Sequence, residues 1–288
     1  MNTLATGPKP DGSVTVPSSA AAFRAAKAEG RGALVGYLPV GYPDVAGSLD
    51  ALRVLCGADG ETPGVDLVEI GMPYSDPVMD GPVIQRAGTR ALERGVRTKD
   101  VFAAVEAVRA AGRPAVVMTY WNLVDRYGVD AFARDLAAAG GSGLITPDLV
   151  PDEAEAWIAA SEAFGLDRVF LVSPSSTDAR LASTTAAARG WLYATSVMGV
   201  TGTRSASPTA APDLVARVRR ISPDTIVGVG LGVSTGDQAA DVARYADGVI
   251  VGSAFIKPLL AAEEAGTPGD FSGLRAVVDE LAAGVRRG

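Results

Sequence analysis

Histidine is absent from the 288-residue chain. That removes the most common general base and the most common ligand for transition metals. A Ser-His-Asp triad and a Cys-His pair are both excluded, so acid–base chemistry falls to Asp, Glu, Tyr, Lys or Cys. Cysteine occurs once, at Cys56. No intrachain disulfide can form, as expected in a reducing compartment. No apolar run approaches the ~18 residues needed to span a membrane. The opening residues "MNTLATGPKPDGSVTVPSS" lack the charged and apolar regions of a secretion signal. They read as a disordered lead-in over residues 1–17, ahead of a single domain over residues 18–288. The cytoplasm is the expected location. A basic track is missing too: 33 acidic against 26 basic residues give a net charge of −7 with the signs interspersed. Nucleic-acid binding, which needs a cationic surface, is disfavoured.

What is present is alternation. Apolar residues make up 48% of the chain, enough for a substantial core. Short β-branched or apolar runs read as strands at Ala33–Leu38, Asp66–Ile70, Ala115–Thr119, Gly143–Thr146, Arg168–Val172, Trp191–Thr195, Thr225–Val229 and Gly248–Val251. Between them, apolar residues at helical spacing predict helices over Val45–Leu55, Val83–Arg94, Lys99–Ala111, Val129–Ala139, Glu153–Phe164, Ala179–Ala188, Asp213–Ile221 and Asp237–Tyr245, with a last helix over Leu274–Arg286. Strand and helix alternate throughout, which implies a parallel sheet wrapped by helices. About eight such units match a TIM (β/α)8 barrel. The rival is an open doubly wound sheet. It lacks support because "PVGYPDVAG" after the first strand is not a dinucleotide-binding glycine pattern.

In a barrel, the loops following the strands carry the chemistry. Here they are the Gly/Pro-rich ones. The longest, "SVMGVTGTRSASPTAAP" after the sixth strand, is a candidate lid or an ordinary surface loop on its length alone.

Glu69 stands out within "LVEIG". Period-two alternation puts Leu67 and Glu69 on one face and Val68 and Ile70 on the other. The apolar pair suits the helix-covered outer face, so Glu69 points into the barrel near its mouth. Desolvation there should raise its pKa toward the range useful for proton transfer. The plainer reading is a solvated or ion-paired glutamate. Asp80, eleven residues on, precedes Gly81-Pro82 and a helix, where an aspartate is commonly an N-cap. Asp76 before Pro77 fits a turn. "VGLGVS" and "IVGSAF" supply Gly230, Gly232, Gly252 and Ser253 after the seventh and eighth strands, where barrels commonly seat phosphate on backbone amides. Tyr193 alternates inward with Trp191 and is either a substrate contact or packing. The "MTYWNL" string around Tyr120 either lines a cavity or fills the barrel.

Taken together, "VEIGMPYSDPVMDGPVIQ", "MTYWNLV", "PDLVPDEA", "MGVTG" and "VGSAFIK" resemble, in order and spacing, the α subunit of tryptophan synthase. The resemblance runs from about Ala33 to Lys257. It implies a TIM barrel that cleaves indole-3-glycerol phosphate to indole and glyceraldehyde 3-phosphate. It implies Glu69 and Asp80 as catalytic acids, with Tyr193 and the lid residue Thr201 at the substrate. Tyr37, Met118 and Leu231 would lie near the indole, and Gly202, Gly232, Gly252 and Ser253 at the phosphate. It also implies a β-subunit partner in an α2β2 complex, met near Pro73, Asp76, Pro77 and Asn122. No cofactor or metal is expected in this chain, and the pyridoxal phosphate would belong to the partner. Met79 and Pro39 depart from the family's usual residues. The alternatives are a lyase working alone and a non-catalytic barrel that binds a sugar phosphate.

Overall fold

The computed structural model describes residues 17–195, 210–230 and 232–288. Eight parallel strands close on themselves in chain order: β1 (Ala33–Pro39), β2 (Leu67–Gly71), β3 (Ala115–Met118), β4 (Gly143–Thr146), β5 (Asp167–Val172), β6 (Leu192–Thr195), β7 (Val227–Gly230) and β8 (Gly248–Val251). The ring is completed by β8 against β1, in a register that pairs Ala33 with Gly248 and Gly36 with Val251. This is the predicted TIM barrel. The observed strands lie within about two residues of the predicted ones. The largest difference is at β7, where half-buried Thr225 and Ile226 lead into the strand without joining it.

Twelve α-helices lie among the described residues: α1 (Ala20–Ala28), α2 (Val45–Leu55), α3 (Pro82–Glu93), α4 (Asp100–Ala110), α5 (Trp121–Tyr127), α6 (Val129–Ala139), α7 (Glu155–Phe164), α8 (Asp178–Ala187), α9 (Ala210–Ile221), α10 (Gly236–Ala243), α11 (Ser253–Glu264) and α12 (Ser272–Gly284). The periodicity predicts nine of them and misses α1, α5 and α11. The seven-residue α5 is too short to declare a period, and α11 carries Pro258 within its span. No helix among the described residues is long and apolar enough to cross a membrane.

Alternation along each strand produces two cores. Val68, Ile70, Val117, Leu144, Phe170, Val229 and Val249 face outward and pack beneath the helices. Val35, Leu67, Val116, Ile145, Val169, Trp191 and Ile250 fill the barrel interior. Interior side chains form a packed plug rather than a pore, as this fold requires.

The N-terminal end of the barrel is closed by α1, whose Ala22, Phe23 and Ala26 join the interior cluster. Phe23 meets Trp191 with ring centroids 5.1 Å apart. One buried carboxylate fastens the entry to α1. Asp167 Oδ2 accepts from the Ser18 hydroxyl at 2.9 Å, the Ser19 amide at 2.7 Å and the Ser19 hydroxyl at 2.6 Å. The Ser19 hydroxyl in turn accepts from the Trp191 indole N–H at 3.0 Å. The lead-in expected over residues 1–17 lies outside the described residues for positions 1–16.

Pro39, the departure noted in the sequence, closes β1. It pairs with Gly71 of β2 but lies past the last residue of β1 that is paired with β8. A strand end of this kind tolerates the missing N–H.

Asp167→Ala leaves three donors at the barrel floor without their acceptor. It is expected to lower stability by about 3 kcal/mol. Urea denaturation followed by tryptophan fluorescence measures this, and a midpoint unchanged from the parent would rule out the proposed fastening.

Candidate active site

At the opposite end, the β-strand termini bring four interior side chains to one mouth. Tyr37 on β1 is in register with Glu69 on β2, and Glu69 with Val116 on β3. Met118 ends β3. Tyr193 on β6 stacks over Trp191 at 6.0 Å, so the Phe23–Trp191 floor supports the tyrosine above it. The inward directions expected for Glu69 and Tyr193 are both observed.

Two glycines make room for the tyrosines. A Cβ on Gly71, the last residue of β2, would overlap the Tyr37 hydroxyl and ring. A Cβ on Gly230, the last residue of β7, would stand 2.5 Å from the Tyr193 hydroxyl. Each phenol leans over the end of a strand that carries no side chain there.

Glu69 is 1% exposed, and its Oε2 has no hydrogen-bond partner among the described residues. Neither plainer reading of it holds, because it is neither solvated nor ion-paired. Burial, with a smaller contribution from the Asp80 charge, pushes its pKa up to about 8. Burial also pushes Tyr37 and Tyr193 well above the usual tyrosine range, helped by the charges of Asp80 and Glu69.

Asp80 does not cap the helix that follows it. The N-cap of α3 is Gly81, with no side-chain cap bond, and Pro82 takes the first helical position, where its missing N–H costs nothing. The nearby Tyr120 hydroxyl favours the charged form of the Asp80 carboxyl and lowers its pKa. Burial dominates and raises it to about 6. The Gln85 side-chain amide donates to the Asp80 carbonyl at 2.8 Å, holding the chain where it enters α3. Met79 is half-buried beside Asp80, and its backbone amide donates to the Tyr120 hydroxyl.

The helices after β7 and β8 differ at their N-termini. α10 is closed by its own residues: the Thr235 hydroxyl accepts from the Gln238 amide at 3.3 Å, and Gln238 Oε1 accepts from the Ser234 amide at 2.8 Å and the Thr235 amide at 3.3 Å. α11 starts from Gly252 with no side-chain cap. Its first turn, at Ser253, is therefore the better of the two seats for an anion. Gly252 sits against Tyr37 and Ile84, so this helix start borders the same mouth. Gly232 has φ +71° and open space where its Cβ would be. α11 is tied to α3, the helix entered from Asp80, through Glu263, which accepts from the Tyr42 hydroxyl at 2.6 Å and pairs with Arg90 and Arg94.

The loop from Met72 to Met79 forms the rim. Asp76, Val78 and Asn122 are exposed, Pro77 is half-buried and Pro73 is buried. Asn122 donates to the Tyr74 hydroxyl at 3.4 Å, and Tyr74 stacks on Tyr120 at 4.9 Å. Three residues expected at the site, Thr201, Gly202 and Leu231, lie outside the described residues, as does most of the lid candidate after β6. Among the described residues, no group of three or more His, Cys, Asp or Glu could hold a metal ion. The residue that the sequence undervalues is Tyr120. The only signal available for it is an aromatic residue at the end of a strand, a pattern shared with ordinary core residues.

Residues 23–282 match the family model described as tryptophan synthase alpha chain. The tryptophan synthase alpha chain of Mycobacterium marinum is 61% identical over 266 residues, covering 92% of this chain and 93% of the relative. A tryptophan synthase structure from Mycobacterium tuberculosis is 57% identical with a TM-score of 0.86, covering 95% of this chain and all of its own. A structure of the tryptophan synthase α2β2 complex from Pyrococcus furiosus is 31% identical with a TM-score of 0.76, covering 88% of this chain and 98% of its own.

The raised pKa of Glu69 has a consequence for stability. Between the ordinary glutamate value of 4.5 and about 8, the folded chain holds a proton that the unfolded chain has released. Stability therefore falls as pH rises through that window and levels off above about 8. Glu69→Gln removes this dependence. Its melting temperature relative to the parent is expected to rise between about pH 4.5 and 8 and then hold constant. Parallel melting curves across that range would show that Glu69 titrates normally.

Proposed function

The chain belongs to the tryptophan synthase alpha chain family and is a lyase of the tryptophan synthase type; from that membership and the geometry of the mouth we propose how it cleaves indole-3-glycerol phosphate to indole and glyceraldehyde 3-phosphate. The observation that carries the reading is the pair of carboxyl groups at the mouth, Glu69 buried and Asp80 half-buried. With Glu69 at about 8 and Asp80 at about 6, a neutral solution leaves Glu69 protonated and Asp80 ionised. Two acids in opposite protonation states can divide a proton-transfer reaction between them.

Asp80 accepts a hydrogen bond from the indole N–H and stabilises positive charge on the ring. Glu69 delivers its proton to indole C3, and the charge passes to the ring nitrogen. Glu69, now a carboxylate, takes the proton from the side-chain hydroxyl next to the bond to be broken. The carbon–carbon bond breaks, its electron pair restores the aromatic ring, and the hydroxyl carbon becomes the aldehyde. Glu69 ends protonated, as it began. Tyr37, Met118 and Leu231 flank the indole, with Tyr193 and Thr201 beside the reacting carbons. The phosphate sits on the start of α11 at Gly252 and Ser253, with Gly232 and Gly202. The uncapped N-terminus of α11 supports that placement, and so does the self-capped α10 beside it.

The reading extends to a partner. One solved relative is a tryptophan synthase α2β2 complex. The exposed residues Asp76, Val78 and Asn122 support a contact there with a β subunit. The β subunit would hold the pyridoxal phosphate and receive the indole. The single cysteine fits a cytoplasmic location.

Indole release, measured with and without a β subunit, tests the proposal. Glu69→Gln is expected to lower kcat by about 10²-fold or more while binding glycerol 3-phosphate as the parent does. Asp80→Asn is expected to lose most of its rate at saturating substrate. Near-parental turnover in Glu69→Gln would overturn the assignment. Strong release by the chain alone, unchanged by the partner, would instead favour a lyase that works alone. Asp76→Ala is expected to weaken activation by the β subunit, and unchanged activation would remove the loop from the interface.

A further inference from the structure

The space beneath Tyr193 is filled by one side chain. Leu192 pairs with Val227 and Tyr193 with Gly228, so Trp191 enters β6 below that level. Both rings nevertheless lean up along β7. A Cβ on Gly228 would stand 2.9 Å from the Trp191 ring, and a Cβ on Gly230 would stand 2.5 Å from the Tyr193 hydroxyl. The two rings lie 6.0 Å apart with their planes at 26°. Trp191 therefore occupies the place over Gly228, the residue opposite Tyr193. The Tyr193 phenol reaches past it, toward the mouth, over Gly230.

Trp191 is held from below. It is 1% exposed, and one side of its ring meets Phe23 of α1. Its indole N–H donates to the Ser19 hydroxyl at 3.0 Å, and that hydroxyl donates to Asp167 at 2.6 Å. With its one proton given to Asp167, the hydroxyl can only accept from the indole. The backbone that leads into Trp191 lies against the same carboxyl. Gly190 has φ +97°, and a Cβ there would stand 2.7 Å from the Asp167 carboxyl carbon. The ring, the N–H and the approach of the chain are thus each set by a group on the barrel floor.

From this geometry we propose that Trp191 is a positioning residue for the reaction. Its ring holds the Tyr193 phenol up at the substrate, and the entry to α1 holds the ring. The inference rests on the role given to Tyr193 above. Without Trp191, the Tyr193 ring can settle over Gly228, where β7 offers no side chain, and its hydroxyl leaves the reacting carbons. A displacement on the order of 1 Å at a reacting centre can lower the rate by about 10²-fold. The α1 floor, at the opposite end of the barrel from the mouth, then contributes to turnover through one aromatic column.

Trp191→Leu removes both the ring beneath Tyr193 and the N–H that Ser19 holds. In the assembled enzyme, kcat/KM for indole release is expected to fall about 10-fold, while glycerol 3-phosphate binds as it does to the parent. A double-mutant cycle with Tyr193→Phe separates positioning from general damage. Once the phenol hydroxyl is gone, Trp191→Leu should lower kcat/KM by less than about 3-fold further. Ser19→Ala frees the indole without removing the ring, and carries the same cycle if Trp191→Leu does not fold. Its expected loss is about 3-fold, and it should vanish in the Tyr193→Phe background. A parental kcat/KM in both Trp191→Leu and Ser19→Ala would overturn the proposal. So would an equal loss with and without the Tyr193 hydroxyl, or a loss of glycerol 3-phosphate binding, since either would make collapse of the mouth the cause. Tyr193→Phe alone separates the two levels. If it is slow while Trp191→Leu is normal, only the positioning role fails. If it keeps parental turnover, the role of Tyr193 fails and takes the positioning role with it.

Discussion

Burial of a carboxyl group without a counter-ion organises this molecule's mouth. An isolated carboxylate in a low-dielectric interior costs several kcal/mol, and proteins usually meet that cost with a cation or by protonation. Among the described residues Glu69 has no cation, and burial keeps its proton on to about pH 8. Its neighbours follow from this. Tyr37 and Tyr193 can crowd a neutral acid more cheaply than a charged one. Asp80, at the edge of the same space, becomes the group that ionises first. With no histidine anywhere in the chain, the proposed mechanism draws both its acid and its base near neutral pH from this split between two carboxyl groups.

The rest of the barrel serves to keep that arrangement dry and rigid. The floor is built from α1, Asp167 and Trp191, and the stack of Phe23, Trp191 and Tyr193 carries it up to the mouth. The walls are the two apolar cores on either side of the strands. At the rim, α3 and α11 are drawn together by Glu263 with Arg90, Arg94 and Tyr42. Those ion pairs are partly exposed and contribute modestly to stability. Their effect is geometric, because one helix begins beside Asp80 and the other at the uncapped anion seat.

Much of this was legible in the sequence, and the failures have physical causes. Period-two alternation fixed the direction of Glu69 and Tyr193, since a strand in a closed barrel has only an inside and an outside. Eight alternating units indicated closure. Asp80 was not legible from local rules, because an aspartate before Gly-Pro and a helix is commonly a cap; the Tyr120 hydroxyl that holds the amides just before it lies about 40 residues away in sequence. The α1 floor was equally hidden. The helix over Ala20–Ala28 is itself missed by the periodicity, and nothing nearby indicates that Ser19 will meet Asp167 at the barrel floor. Non-local hydrogen bonds to single polar atoms leave no periodic trace, and the Tyr120 clamp on Val78 and Met79 and the fastening of α1 are both of that kind.

The pairing of each mouth tyrosine with a glycine on another strand constrains how this site can change. Gly71 cannot acquire a side chain while Tyr37 is present, and Gly230 cannot while Tyr193 is. The overlap at Gly71 involves ring atoms as well as the hydroxyl, so exchanging tyrosine for phenylalanine would not relieve it. A variant with a reshaped mouth must therefore change two strands in concert, passing through an intermediate that is either overpacked or hollow. Across relatives, positions 37 and 71, and likewise 193 and 230, should vary as coupled pairs, which makes the shape of the pocket a property of strand combinations rather than of single residues.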